Sequence, residues 1–147
     1  MSFPTDSPMQ FSAPPTVSLP SEEQIKELVD CFYSRVRQDE ILGPVFARAI
    51  GDHWEEHLTK MSDFWSTVVL ASHRYKGNPM QVHINLPRLN QDHFDRWLAL
   101  WRVTSSELLD QVHAQIFVKK AEFMAARLLS TIDLYHNLPG GNPLSRD

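Results

Sequence analysis

The sequence is poor in several residue types, and each shortage excludes a class of protein. Cys31 is the one cysteine among 147 residues, which excludes a disulfide framework and a cysteine-based zinc site. No apolar run approaches the roughly 20 residues that a membrane-spanning helix requires. The start of the chain, MSFPTDSPMQ, lacks the basic and then apolar pattern of a signal peptide. We therefore expect a cytoplasmic protein that does not enter a membrane.

An excess of basic residues is also absent. The 14 lysines and arginines are outnumbered by 18 aspartates and glutamates, which gives a net charge of −4. Binding to a phosphate backbone needs a basic face, so we do not expect a nucleic-acid partner. The sequence also has no G-x-S-x-G motif and no phosphate-binding loop. A nucleophile-based active site is therefore a poor interpretation.

Bulky apolar residues, in contrast, are abundant. Hydrophobic residues make up 42% of the chain and aromatic residues 10%, which is enough for the core of one globular domain. Prolines are concentrated in residues 1–20, where neither a helical nor a strand period fits, and Gly140-Gly141 interrupts the chain near its end. We predict a flexible N-terminal tail over residues 1–20, one domain over residues 21–138 and a flexible C-terminal tail over residues 139–147.

Apolar residues recur with helical spacing in four segments. The first begins at Ser21, which can form a capping box with Gln24, and extends to about Gln38. Gly43-Pro44 is expected to break the chain, so that residues 45–50 form at most a short helical turn. With almost no strand signal, the fold class is predicted to be all-α. The other three helices are predicted over about 52–72, from a cap at Asn90 onward, and over about 110–136.

Two of the seven histidines lie at positions that suggest chemistry. His57 interrupts an apolar helical stripe, where an unpaired imidazole would cost roughly 1–3 kcal/mol, so it must be hydrogen-bonded or face a cavity. His83 lies in MQVHINL, a short segment between Pro79 and Pro87, and suits an axial metal ligand. A satisfied core histidine and an ordinary loop histidine are the alternative interpretations of these two. The other five are expected to be exposed surface residues: His53, His73, His93, His113 and His136.

Tyr33 and Trp97 are placed in the same way as His57. Each lies on or beside the buried face of its own helix and carries a polar group that needs a partner when buried. Three such donors on three inward faces can converge on one polar spot in an apolar interior. The pattern therefore predicts a site for a small polar ligand.

Five stretches follow one another along the chain: Phe32-Tyr33, LGPVF from Leu42, HWEEHLTKMSDFW from His53, VHINLP from Val82 and FDRWLALW from Phe94. Together they resemble the group III truncated haemoglobins over roughly residues 25–136. They occur in the order and at the spacing of that family, and the chain lacks the glycine motifs of other truncated globins. The resemblance implies a shortened globin fold, a two-over-two helical sandwich with haem between the layers.

The resemblance also implies roles for individual residues around a haem b group. His83 matches the proximal ligand of the iron, and Phe46 matches the phenylalanine that packs on the porphyrin face. The three polar positions on the distal side are matched by Tyr33, His57 and Trp97. The pocket-wall positions are matched by Phe32, Met61, Phe64 and Trp65, and the candidates to contact the haem propionates are Arg74 and Tyr75.

A pocket with several donors should hold and polarise a small ligand rather than release it. We therefore expect redox chemistry on O₂, NO or peroxide, such as NO dioxygenase or peroxidase-like activity, rather than O₂ transport, with a reductase as partner. A cofactor-free helical interaction module is the competing hypothesis, in which the three polar residues belong to the core. A catalytic zinc or di-iron bundle is a weaker alternative, because no paired Glu-x-x-His motifs occur on the helices.

Overall fold

The computed structural model describes residues 18–84, 86 and 89–136, and the regular structure within these ranges is α-helical. The predicted all-α class is confirmed. Most of the predicted N-terminal tail, residues 1–17, and all of the predicted C-terminal tail, residues 139–147, lie outside the described residues. The helices are α1 (Glu22–Gln38), α2 (Leu42–Ile50), α3 (Trp54–Leu70), α4 (Pro79–Ile84), α5 (Gln91–Leu108) and α6 (Gln111–His136).

Four long helices form two layers. α1 packs against α3, α5 packs against α6, and the layers meet where α1 contacts α5 and α3 contacts α6. The shorter helix α2 lies against α1 and α5, and α4 lies against α6. This is the two-over-two helical sandwich that the sequence resemblance implies. Of the helices in the described ranges, none is long and apolar enough to cross a membrane.

Reciprocal hydrogen bonds fix the starts of α1 and α5, where the sequence predicts a capping box at Ser21 and a cap at Asn90. At α1, the Ser21 hydroxyl accepts from the Gln24 backbone N–H at 3.0 Å, and the Gln24 side chain accepts from the Ser21 N–H at 2.8 Å. At α5, the Asn90 side chain accepts from the His93 N–H at 3.2 Å, and His93 Nδ1 accepts from the Asn90 N–H at 3.1 Å. Each pair satisfies backbone donors that the first helical turn leaves without partners.

The region around Gly43 and Pro44 differs from its prediction. The expectation of at most a short turn over residues 45–50 is wrong, because α2 is a nine-residue helix from Leu42 to Ile50. Pro44 lies in the first turn, where its missing N–H removes no helical hydrogen bond. A Cβ atom on Gly43 would lie 2.9 Å from the carbonyl oxygen of Arg37. Glycine at this position therefore allows α2 to approach α1 closely.

Asp39 links three helices at this corner. Its Oδ2 accepts from the backbone N–H groups of Ile41 at 3.1 Å and Leu42 at 3.0 Å, at the start of α2. Its Oδ1 accepts from Nε of Arg96 on α5 at 2.7 Å. The carboxylate follows the last residue of α1 directly. It therefore joins the end of α1, the start of α2 and one face of α5.

Three tryptophan rings occupy the core between the two layers, and we call them the tryptophan stack. Trp65 of α3 and Trp101 of α5 are 1% and 0% exposed, and their ring centroids are 4.6 Å apart with planes 20° from parallel. Trp97, one turn before Trp101, lies 5.7 Å from it at 4°. The Trp101 indole N–H donates to the Phe117 carbonyl oxygen at 3.1 Å. The stack therefore ties α3, α5 and α6 together.

His113 is buried, at 7% exposed, so its predicted place on the surface is wrong. Its Nε2 lies 2.5 Å from the Ser18 carbonyl oxygen, and its Nδ1 lies 3.3 Å from a carboxylate oxygen of Asp110. Pro20 is buried as well. Residues 18–20, the last three of the predicted N-terminal tail, therefore lie against the helical domain.

Candidate functional site

The polar side chains of Tyr33, His57 and Trp97 are neighbours in the interior, and we call them the donor cluster. They come from α1, α3 and α5 respectively. The rings of Tyr33 and His57 are 4.8 Å apart and nearly perpendicular, at 88°. Trp97 is hydrogen-bonded to the Tyr33 hydroxyl. α1 brings the three together because it contacts both α3 and α5.

Tyr33 is a neutral donor whose position is fixed. Its side chain is 4% exposed, and burial raises the pKa of its hydroxyl well above the usual range, although the hydrogen bond with Trp97 acts in the opposite direction. An indole N–H can only donate, so the Tyr33 oxygen accepts from Trp97 and keeps its own proton. That proton is available for a second hydrogen bond to a ligand.

His57 contributes a buried nitrogen atom. Its Nε2 is shielded from solvent and has no hydrogen-bond partner among the described residues. Burial, and to a smaller extent repulsion from Lys60 and from the charged form of His83, lowers the pKa of His57 to about 4. The ring is therefore neutral at pH 7, with one nitrogen that donates and one that accepts. Leaving Nε2 unpaired costs roughly 1–3 kcal/mol, which a polar ligand at this position would recover.

His83 lies on the short helix α4 and is half-buried. Its Nδ1 lies 2.6 Å from the carbonyl oxygen of Pro79, the first residue of the same helix. Burial lowers the pKa of His83, and the contact with the carbonyl acts in the opposite direction. Because a carbonyl oxygen can only accept, Nδ1 carries the proton of the neutral ring. Nε2 is then the nitrogen with a free lone pair, which is the form that binds a metal.

Aromatic rings surround the donor cluster. Phe46 of α2 lies 5.8 Å from Tyr33 and 6.4 Å from His57, measured between ring centroids. Phe32 of α1 lies 5.5 Å from Trp97 and is fully buried. An apolar wall of this kind lowers the local dielectric constant and strengthens the hydrogen bonds inside it.

Met61, Phe64 and Trp65, predicted as pocket walls, lie with the hydrophobic core along α3. Trp65 belongs to the tryptophan stack, and Phe64 packs edge-on against it at 5.4 Å. Met61 is half-buried against the same core. Their contact with a cofactor stays a prediction.

Arg74 and Tyr75 follow α3 in a loop. Arg74 pairs with Glu22, the first residue of α1, at 3.4 Å. The Tyr75 ring packs edge-on against Phe64 at 5.2 Å, and its backbone N–H donates to the Thr67 hydroxyl at 2.9 Å. The predicted contacts of these two residues with haem propionates stay predictions.

Trp54 and Arg37 are neighbours of the donor cluster that sequence reasoning did not assign to it. The Trp54 ring lies 5.6 Å from His57 at 87°, and 6.1 Å from Tyr33. The guanidinium carbon of Arg37 lies 4.4 Å from the centroid of the Trp54 ring. The spacing of three residues between Trp54 and His57 on one helix was a visible signal for the first contact. No local pattern indicated the contact with Arg37.

These residues fit the haem group that the sequence resemblance implies. A neutral histidine whose second nitrogen is held by a carbonyl is the usual form of a haem-iron ligand, and His83 has that form. Among the described residues, no group of three or more His, Cys, Asp or Glu could hold a bare metal ion.

Comparisons with known proteins agree with this fit. A model of the bacterial-like globin family matches residues 18–130. The group 3 truncated hemoglobin ctb of Campylobacter jejuni is 30% identical over 118 residues, which cover 78% of this chain and 93% of that protein. The crystal structure of a group III truncated hemoglobin from Campylobacter jejuni matches with a TM-score of 0.75 at 29% identity, over 80% of this chain and 95% of that one. The chain therefore belongs to the bacterial-like globin family, as a haem-binding globin of the group III truncated type.

Proposed function

We propose that His83 Nε2 is the protein ligand of the iron in a haem b group, and that the donor cluster receives a small ligand of that iron. Haem, when bound, supplies an iron atom that takes a histidine nitrogen and can bind and exchange electrons with O₂, NO or peroxide. The observation that carries the proposal is the 2.6 Å contact between His83 Nδ1 and the Pro79 carbonyl oxygen. It fixes the tautomer and the orientation of the ring in advance of binding.

The donor cluster supports retention of a small polar ligand. The Tyr33 hydroxyl keeps a proton to donate, and the hydrogen bond from Trp97 polarises it further. His57 Nε2 offers a second polar contact from the facing helix. Each hydrogen bond to a charged ligand atom contributes on the order of 1.5–3 kcal/mol, so two would slow ligand release by about a hundredfold or more.

Slow release suits reaction better than transport. We therefore propose redox chemistry on O₂, NO or peroxide, such as NO dioxygenase or peroxidase-like activity, in the cytoplasm and with a reductase that returns the iron to its reduced state. The pocket residues supply polar contacts for such a reaction, since Tyr33 and His57 are both neutral at pH 7. The family assignment favours this proposal over the cofactor-free interaction module.

The test of iron ligation is the visible absorption spectrum of the haem-loaded protein beside a His83→Ala variant. We expect a strong Soret band in the wild type, which is lost or shifted to a form without histidine ligation in His83→Ala. His53→Ala is a matched control, because the His53 side chain is 77% exposed at the start of α3. Its spectrum should equal that of the wild type.

A Soret band that is the same in the wild type and in His83→Ala would contradict the proposed ligation. The iron ligand would then be a different residue, and His57 would be the next one to change. Loss of the band in both the His83 and the His53 variants would likewise contradict a specific role for His83.

A further inference from the structure

Trp54 connects an exposed cation to the buried ring of His57. The Arg37 guanidinium carbon lies 4.4 Å from the centroid of the Trp54 ring, and that ring meets His57 edge-on at 5.6 Å. Arg37 is exposed, Trp54 is half-buried, and His57 Nε2 is shielded from solvent. The three side chains therefore form one continuous path from the surface to the donor cluster.

Trp54 lies at the solvent-facing start of a helix. It is the first residue of α3, and within the described part of the chain the N-cap residue His53 makes no side-chain hydrogen bond that caps this helix end. The first turn of a helix without such a cap opens readily. Arg37 belongs to the last turn of α1, where the helix dipole favours a cation. Its contact with the indole therefore fastens the start of α3 to the end of α1.

His57 leans toward this helix end. Side chains on a helix point back toward its N-terminus, so the His57 ring lies over the turn that begins with Trp54. The neighbouring His53 side chain is 77% exposed, which shows that this end of α3 faces solvent. A rotation of the His57 ring out of the interior therefore has to displace the Trp54 ring.

We propose that Trp54, held by Arg37, is the positioning residue that keeps the His57 ring inside the donor cluster. This inference rests on the proposed function of that cluster. With His57 turned inward, the ring closes the site toward the start of α3, and a small ligand enters or leaves only when the ring turns outward. The contacts made by Trp54 and Arg37 then set the small fraction of molecules in which the His57 ring is turned outward. That fraction sets the rate of ligand entry.

Carbon monoxide is the probe for this inference, in flash photolysis of the reduced, haem-loaded protein. Removing the ring contacts in Trp54→Ala should raise the association rate about tenfold. Arg37→Ala removes one exposed cation–aromatic contact and should raise it about two- to fivefold. Arg37→Lys keeps a cation on the ring and Trp54→Phe keeps an aromatic ring. The association rates of both variants should therefore stay within about twofold of the wild-type rate.

Two further measurements separate positioning from general stability. Arg127→Ala is the matched control, because it removes another cation–aromatic pair, in which the guanidinium carbon lies 5.7 Å from the Phe123 ring on α6. Its association rate should be unchanged. The C–O stretching band of bound carbon monoxide reports the polar groups beside it. This band should shift in Trp54→Ala in the same direction as in His57→Ala, and it should not shift in Arg127→Ala.

The inference is overturned if Arg37→Ala and Trp54→Ala both bind carbon monoxide at the wild-type rate. It is also overturned if Arg127→Ala accelerates binding as much as Arg37→Ala, or if Trp54→Ala melts at a lower temperature without a shift of the band. All these variants keep His83, so their Soret bands report the proposed iron ligation independently of the result.

Discussion

Replacing Asp39 by alanine should destabilise the fold by about 2 kcal/mol, because this side chain anchors the helices that carry the donor cluster. Its carboxylate accepts from the backbone N–H groups of Ile41 and Leu42 at 3.1 and 3.0 Å. It also accepts from Arg96, the residue that precedes Trp97. The link between α1 and α5 therefore lies directly beside one member of the donor cluster.

The magnitude follows from the helix cap. Losing a side-chain cap costs about 0.5–2 kcal/mol, and the upper part of that range applies because the Asp39 side chain is charged, 4% exposed and bonded to two N–H groups. The Arg96 side chain is 46% exposed, so the ion pair is not added to this figure. Arg96→Ala should accordingly have a smaller effect than Asp39→Ala.

The effect should depend on pH. Burial raises the pKa of Asp39, but hydrogen bonds from Arg96, Leu42 and Ile41 outweigh it, so the pKa lies below its ordinary value. A carboxylate with a lowered pKa in the folded state stabilises the fold fully above its unfolded pKa of about 3.9. That contribution is lost as the pH falls through the folded pKa. The difference between wild type and Asp39→Ala should therefore be constant from about pH 5 upward and should shrink below about pH 4.

Urea unfolding at pH 7, followed by circular dichroism with haem saturating in both proteins, measures this difference. Asp30→Ala is the control, because Asp30 is 41% exposed and forms an ordinary surface ion pair with Lys26 on the same helix. It should change the free energy of unfolding by less than about 0.5 kcal/mol. A change in Asp39→Ala no larger than that in Asp30→Ala would refute the reasoning.

Four other substitutions test separate parts of the structure. Tyr33→Phe and Trp97→Phe should each accelerate O₂ dissociation about tenfold or more, and stopped-flow rates equal to wild type in both would remove the argument for the donor cluster. Gly43→Ala should lower the free energy of unfolding in urea by about 1–3 kcal/mol, because the added Cβ would lie 2.9 Å from the Arg37 carbonyl oxygen. An unchanged midpoint of the urea transition would contradict this close approach. Ala71→Gly should stabilise the fold by about 0.5–1 kcal/mol, because Ala71 has φ 58°, and a lower melting temperature would contradict it.

The parts of the fold that depend on neighbouring residues could be predicted from the sequence. The capping residues Ser21 and Asn90 act within one helical turn, so the starts of α1 and α5 could be predicted from the sequence. The start of α2 could not be predicted, because the dipeptide Gly43-Pro44, taken alone, is typical of a break in a helix. There the carboxylate of Asp39 and the close contact with α1 favour a helix, and these are properties of the packed structure.

The candidate site shows the same limit. Tyr33, His57 and Trp97 could be proposed as neighbours because each interrupts or borders an apolar stripe that must face the interior. Burial of His113 depends on the carbonyl of Ser18, which is 95 positions away, and helical periodicity contains no information about such a contact. The contact of Arg37 with Trp54 joins two helices across an intervening one, so it also required the folded structure.

The tryptophan stack has a consequence for how this protein can vary during evolution. Trp97 belongs both to the donor cluster, which we propose receives the ligand, and, through its parallel contact with Trp101, to the deepest part of the core. A substitution that repacks the core would therefore alter ligand affinity as well, and selection could not adjust the two properties separately there. Variation that tunes ligand kinetics without loss of stability should instead collect at the periphery, at positions such as Arg37. Among natural variants of this chain, we expect the three stacked rings to change together or not at all.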